Sequence, residues 1–89
     1  MAESDPGWSP ALAPGVRLTH DRVRDTDLLL MPEQVIVLNA SAAAIVARCR
    51  GTESLESMIA ALREEYDGES LAGDVRRFLA MARREGWVV

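Results

Sequence analysis

Residues able to do covalent or acid–base chemistry are scarce in this 89-residue chain. It holds one cysteine, Cys49, and one histidine, His20, and all 10 of its basic residues are arginine. Without lysine there is no Schiff-base nucleophile and no phosphate-loop ammonium group. A single cysteine excludes an internal disulfide and fits a reducing compartment. Cys49 stands at helical spacing from Ala42, Ile45 and Val46, the place of a small core hydrophobe rather than a reactive thiol. His20 shares strand parity with Val16 and Leu18 and reads as a partly buried, hydrogen-bonded imidazole. Glu64 and Glu65 are adjacent and therefore project at different azimuths of a solvated helix. No glycine-rich phosphate loop is present. The expectation is a protein that is not an enzyme and carries neither metal nor cofactor.

The formal net charge of −4 argues against broad binding to nucleic acid, because a phosphate-binding surface would have to be local. No apolar run approaches the ~18–20 residues of a membrane span. The acidic, proline-containing start does not read as a signal peptide, so a cytoplasmic protein is expected. The length suits one domain. Residues 1–15, rich in proline, alanine and acidic groups, read as a flexible N-terminal arm, with Trp8 and Leu12 able to tack it onto a single domain over 16–89.

From Val16 the apolar period is two, giving a first strand to His20. The polar stretch from Asp21 to Asp27 reverses the chain. Leu28–Met31 forms a second strand, Pro32-Glu33 a tight connection, and Gln34–Leu38 a third strand, completing an antiparallel meander. The period then changes. Asn39 caps an alanine-rich helix from Ala40 to Arg50, which Gly51 ends. Ser54 caps a second helix with Leu55, Met58, Ile59, Leu62 and Tyr66 on its core face. Ser70 caps a third, striped with Leu71, Val75, Phe78, Leu79 and Ala82, and Gly86 follows its last turn. Trp87-Val88-Val89 packs back as a short extended tail. The order βββααα makes an α+β domain.

The second and third strands are apolar on both faces, more than three short helices readily cover. The third strand also ends the meander, so its backbone groups stay open unless another segment pairs with it. Such an edge is protected, used for dimerisation, or used to capture a peptide as an added strand. Asp74, Arg77 and Met81 flank the core stripe of the third helix and could line a groove beside that strand. Their other reading is a solvated face with an Asp74–Arg77 pair.

Order and spacing together resemble a known family. Pro10-x-Leu12 before Val16-Arg17-Leu18 is followed by Leu29-Leu30-x-Pro32-Glu33-x-Val35-x-x-Leu38-Asn39-x-Ser41-Ala42. Ile45, Gly51, Asp74-Val75-x-x-Phe78-Leu79 and Gly86-Trp87-Val88 complete the pattern. From Pro10 to Val89 the chain resembles the PqqD family. The resemblance implies a winged-helix-like fold and a non-catalytic peptide chaperone of pyrroloquinoline quinone biosynthesis. Such a chaperone binds the precursor peptide PqqA and presents it to PqqE, a radical S-adenosylmethionine enzyme. It implies a peptide site between the third strand and third helix, here Gln34, Val35, Ile36, Val37 and Leu38 with Asp74, Val75, Arg77, Phe78 and Met81. The alternatives are a recognition domain for another modified-peptide pathway and a winged-helix DNA-binding protein. A monomer and a strand-exchanged homodimer both fit.

Overall fold

The computed structural model describes residues 7–89. Three strands, β1 (Arg17–Asp21), β2 (Thr26–Met31) and β3 (Gln34–Leu38), precede three helices, α1 (Ala40–Ala47), α2 (Leu55–Glu65) and α3 (Leu71–Arg84). The strands form one antiparallel sheet in the order β1-β2-β3. This is the expected α+β meander followed by helices. β2 begins two residues earlier than the apolar run suggested, because Thr26 and Asp27 pair with Asp21 and His20. The reversal is confined to residues 22–25, where Asp21 Oδ1 accepts from the Val23 amide at 3.0 Å and Asp25 takes a left-handed conformation (φ 53°) that aspartate tolerates.

One face of the sheet is covered. Leu29 and Leu38 are buried with Ala43 and Val46 of α1, and Leu18, Met31, Ile36 and Phe78 pack around them. A second cluster joins α1, α2 and α3 through Ile45, Cys49, Leu55, Met58, Leu62, Val75 and Leu79. Phe78, Leu12 and Trp87 touch both clusters and make them one core. The leucine and methionine side chains on these helices recur at three- and four-residue spacing, so each helix buries one stripe.

The helix ends show where local chemistry decides. Asn39 caps α1 by accepting from the Ala42 amide at 2.8 Å, and Ser54 caps α2 by accepting from Ser57 at 3.1 Å. Expected to reach Arg50, α1 instead stops at Ala47. The Leu12 amide donates to the Cys49 carbonyl at 3.1 Å and Arg50 bridges to Ala11, so bonds from the N-terminal segment replace the last helical turn. Ser70 does not cap α3. Its hydroxyl bonds the Asp74 carboxylate at 3.0 Å instead, and its backbone lacks the extended cap conformation. Tyr66, expected on the α2 core face, is the exposed residue just beyond that helix. Gly86 (φ 82°) closes α3 as expected: the Trp87 amide reaches the Ala82 carbonyl at 2.8 Å and Gly86 reaches Arg83 at 3.2 Å, the paired bonds of a glycine-terminated helix.

Hydrogen bonding does not break at residue 15, where composition drew a boundary. Ala11 and Val89 exchange both backbone bonds, at 2.8 and 3.2 Å. The Trp8 indole donates to the Val89 carbonyl at 3.1 Å, and the Arg83 guanidinium lies 4.4 Å over its ring. Trp8 and Leu12 thus tack the segment down, as their side chains suggest. Residues 1–6 of the expected arm lie outside the described residues.

Candidate functional site

β3 is bonded to β2 on one side only, and no other described strand reaches it. In an antiparallel pair, consecutive residues direct their N–H and C=O groups alternately to the neighbour and away from it. Every second residue of β3 therefore offers its backbone to the open edge. Gln34, Val35 and Val37 are exposed, with Val35 and Val37 at 59% and 69%, Ile36 is half-buried, and Leu38 faces the core. Two valines this open on an unpaired strand are unusual, since edges are commonly guarded by charge.

A cleft of about 390 Å³ begins one residue beyond β3. Its lining comes from the α1 cap (Asn39, Ser41, Ala42), the end of α2 (Leu62, Tyr66, Asp67) and α3 (Leu71, Asp74, Val75, Phe78). The floor is apolar and the rim carries two carboxylates. Of the residues anticipated on α3, Asp74, Val75 and Phe78 enter this cleft. Arg77 is exposed and pairs with Asp74, and Met81 is half-buried farther along the helix. Asn39, Ser41, Tyr66 and Leu71 were missed, although the cap at Asn39 already placed a helix start against the end of the strand. A second cleft, of about 400 Å³, lies beside β1 with Leu12, Leu18 and Val46 in its floor and Arg17 and Arg50 at its margin.

The chemically capable residues are otherwise engaged. Cys49 is 2% exposed, its thiol donates to the Ile45 carbonyl at 3.4 Å, and burial pushes its pKa up to about 12, which suppresses the thiolate. His20 is exposed rather than partly buried. Its Nδ1 lies 2.9 Å from Asp27 and its Nε2 3.0 Å from Asp25, so the imidazole bridges two carboxylates across the β1–β2 turn. The hydrogen bond to Asp27, chiefly, raises its pKa. Among the described residues no group of three or more His, Cys, Asp and Glu is placed to hold a metal ion. No helix of the described chain is long and apolar enough to cross a membrane.

An open apolar strand beside an apolar cleft, with its nucleophile sealed in the core, is the geometry of a small α+β recognition module. The chain matches the family model of coenzyme PQQ synthesis protein D (PqqD) over residues 28–88, and it belongs to that family. A protein of Azotobacter vinelandii named PqqA binding protein is 35% identical over 89 residues, covering 99% of this chain and 97% of its own. The PqqA binding protein of Xanthomonas campestris pv. campestris (strain B100) is 44% identical over 61 residues, 68% of this chain and 66% of its own. Among solved structures, the PqqD truncation of Methylobacterium extorquens PqqCD superposes with a TM-score of 0.75 at 27% identity, covering 100% of this chain and 99% of that one. That protein is described as a functional, stand-alone recognition element for ribosomally synthesized and post-translationally modified peptides. PqqD from Xanthomonas campestris superposes at 0.53 with 36% identity over 84% of this chain and 86% of its own.

Proposed function

We propose that this protein is a non-catalytic adaptor of pyrroloquinoline quinone biosynthesis that binds the precursor peptide PqqA as an added strand on β3 and presents it to the radical S-adenosylmethionine enzyme PqqE. The observation that carries this reading is the open edge of β3, with Val35 and Val37 bare to solvent and an apolar cleft beginning one residue beyond the strand. Family membership supplies the identity of the peptide. In this mechanism, backbone N–H and C=O groups of β3 hold the peptide main chain in a way that tolerates sequence. Side chains of the peptide that point toward the helices enter the cleft between Ala42 and Phe78, where size and apolarity select. The reaction itself would belong to the enzyme, and the adaptor would be expected in the same cytoplasmic compartment.

The rival reading, DNA binding through α3, needs free arginines on that helix. Arg76 lies 3.8 Å from Glu56, Arg77 is paired with Asp74, Arg83 is stacked on Trp8, and Arg84 is engaged as well. That distribution disfavours phosphate contact.

The test is a titration of isotope-labelled protein with synthetic PqqA, following backbone amide shifts. Saturable changes at Gln34–Leu38 and along Asp74–Met81 are expected. Changes confined to other elements would keep peptide binding and discard this site. No change at several hundred micromolar peptide would overturn the reading.

A further inference from the structure

The register of the sheet sorts its side chains into two sets. One set, containing Leu18, Leu29, Ile36 and Leu38, turns toward the helices and is packed in the core. The other set comprises the row Arg17–Leu30–Val35 and the row Thr19–Leu28–Val37. None of Leu28, Leu30, Val35 and Val37 belongs to either core cluster, and no described helix contributes to that face. The sheet therefore has an outer surface that is aliphatic over β2 and β3 and polar over β1.

We propose that this outer face is the docking surface for the enzyme that modifies the bound peptide, and that the peptide itself completes it. The inference rests on strand addition at β3. A peptide added there continues the sheet, and its side chains alternate between the two faces. Those pointing inward meet the cleft. Those pointing outward line up beside Val35 and Val37 and extend the same aliphatic surface.

Size and charge select the occupant. Four partly exposed aliphatic side chains offer at most ~100 Å² each, well short of the ~800 Å² per partner of a stable complex. The aliphatic part of the bare face is thus too small to hold a second copy of this chain, or an enzyme, by itself. With an added strand it widens, so a partner that touches both reads whether the adaptor is loaded. At the far margin, Arg17 has no ion-pair partner among the described residues. The matching surface is apolar with a carboxylate at its border.

Arg17→Glu and Leu30→Lys alter this face from β1 and β2 and leave the residues and open backbone edge of β3 unchanged. Arg17 is exposed, so the first variant keeps the test valid even where the second fails to fold. Binding of PqqA and capture of PqqE are measured separately by calorimetry on the full chain, with sedimentation to report self-association. In both variants, PqqA affinity is expected to stay within twofold, while affinity of the loaded complex for PqqE falls at least tenfold. The unaltered protein is expected to bind PqqE at least tenfold more tightly with peptide than without. Undiminished PqqE binding by folded variants would overturn the proposal, as would equal PqqE affinity with and without peptide. Dimerisation of the unaltered chain that the variants abolish would also overturn it and assign the face to a second copy. Failure of strand addition reads differently: the unaltered protein would then bind no PqqA, or bind it without amide shifts at Gln34–Leu38.

Discussion

The sheet has two free edges, and they are built in opposite ways. β3 is Gln-Val-Ile-Val-Leu, with both valines exposed and an apolar cleft rimmed by Asp67 and Asp74 just beyond it. β1 is Arg-Leu-Thr-His-Asp, with a single aliphatic side chain and a cleft flanked by Arg17 and Arg50. Both strands have the same neighbour and similar length, so topology does not distinguish them. Side-chain chemistry does. Charged and polar groups along β1 make pairing with another strand unfavourable, the protection usual for an edge. β3 lacks it, and that contrast between the edges is what the proposed strand addition at β3 rests on.

The largest effect should come from proline scanning of the two edges. Proline removes one N–H and fixes φ. Placed at successive positions, Val35, Ile36 and Val37, it removes donors that alternately face the open edge and β2. The edge-facing parity should lower peptide affinity at least tenfold, about 1.4 kcal/mol, in a protein that stays folded by circular dichroism. The opposite parity should unfold the domain. Thr19→Pro on β1 should leave affinity unchanged in any folded protein, and a loss there equal to that at β3 would erase the distinction between edges.

Phe78→Ala comes next. Phe78 is half-buried, lines the cleft and touches both core clusters. Truncation should destabilise by about 2–3 kcal/mol, below the 3–5 of a fully buried phenylalanine, and weaken peptide binding as well. Chemical denaturation and calorimetry on the same sample would report both.

A smaller effect concerns the guarded edge. His20 has a raised pKa through Asp27 and then Asp25, so the bridge stabilises the hairpin fully below about pH 6.5 and fades as pH rises through the raised value. An NMR titration should find the imidazole pKa above 6.5, lowered toward it more by Asp27→Asn than by Asp25→Asn. Peptide binding at β3 should not follow that titration. Least of all, Arg77→Ala should change stability by less than about 1 kcal/mol, because its pair with Asp74 is exposed.

Much of this fold was legible in local pattern. The short apolar run of Gln34–Leu38 and the cap at Asn39 fell where the structure has them, since both are settled within a few residues. What escaped was decided at long range. The early end of α1 depends on Leu12 bonding to Cys49, a partner no local pattern around Arg50 could announce. Ser70 looked like a cap but found Asp74 first. His20 looked half-buried from parity, yet it is exposed and turns to two carboxylates of the hairpin. Of the candidate site, the strand was readable as a short apolar run that Asn39 ends. The cleft was only half readable, because Tyr66 and Leu71 come to it from separate helices.

The bond between Trp8 and Val89 joins residues 81 positions apart. Through it, and through the two backbone bonds between Ala11 and Val89, the beginning and end of the described chain are stitched side by side. Residue 89 leaves the ribosome long after residues 8–11, so this seam closes only once all three helices have been made. Loss of Val89 would take away three hydrogen bonds at once and release the segment that holds Cys49 and Gly51 in place. The N-terminal segment would then be loosened by damage at the opposite end of the sequence.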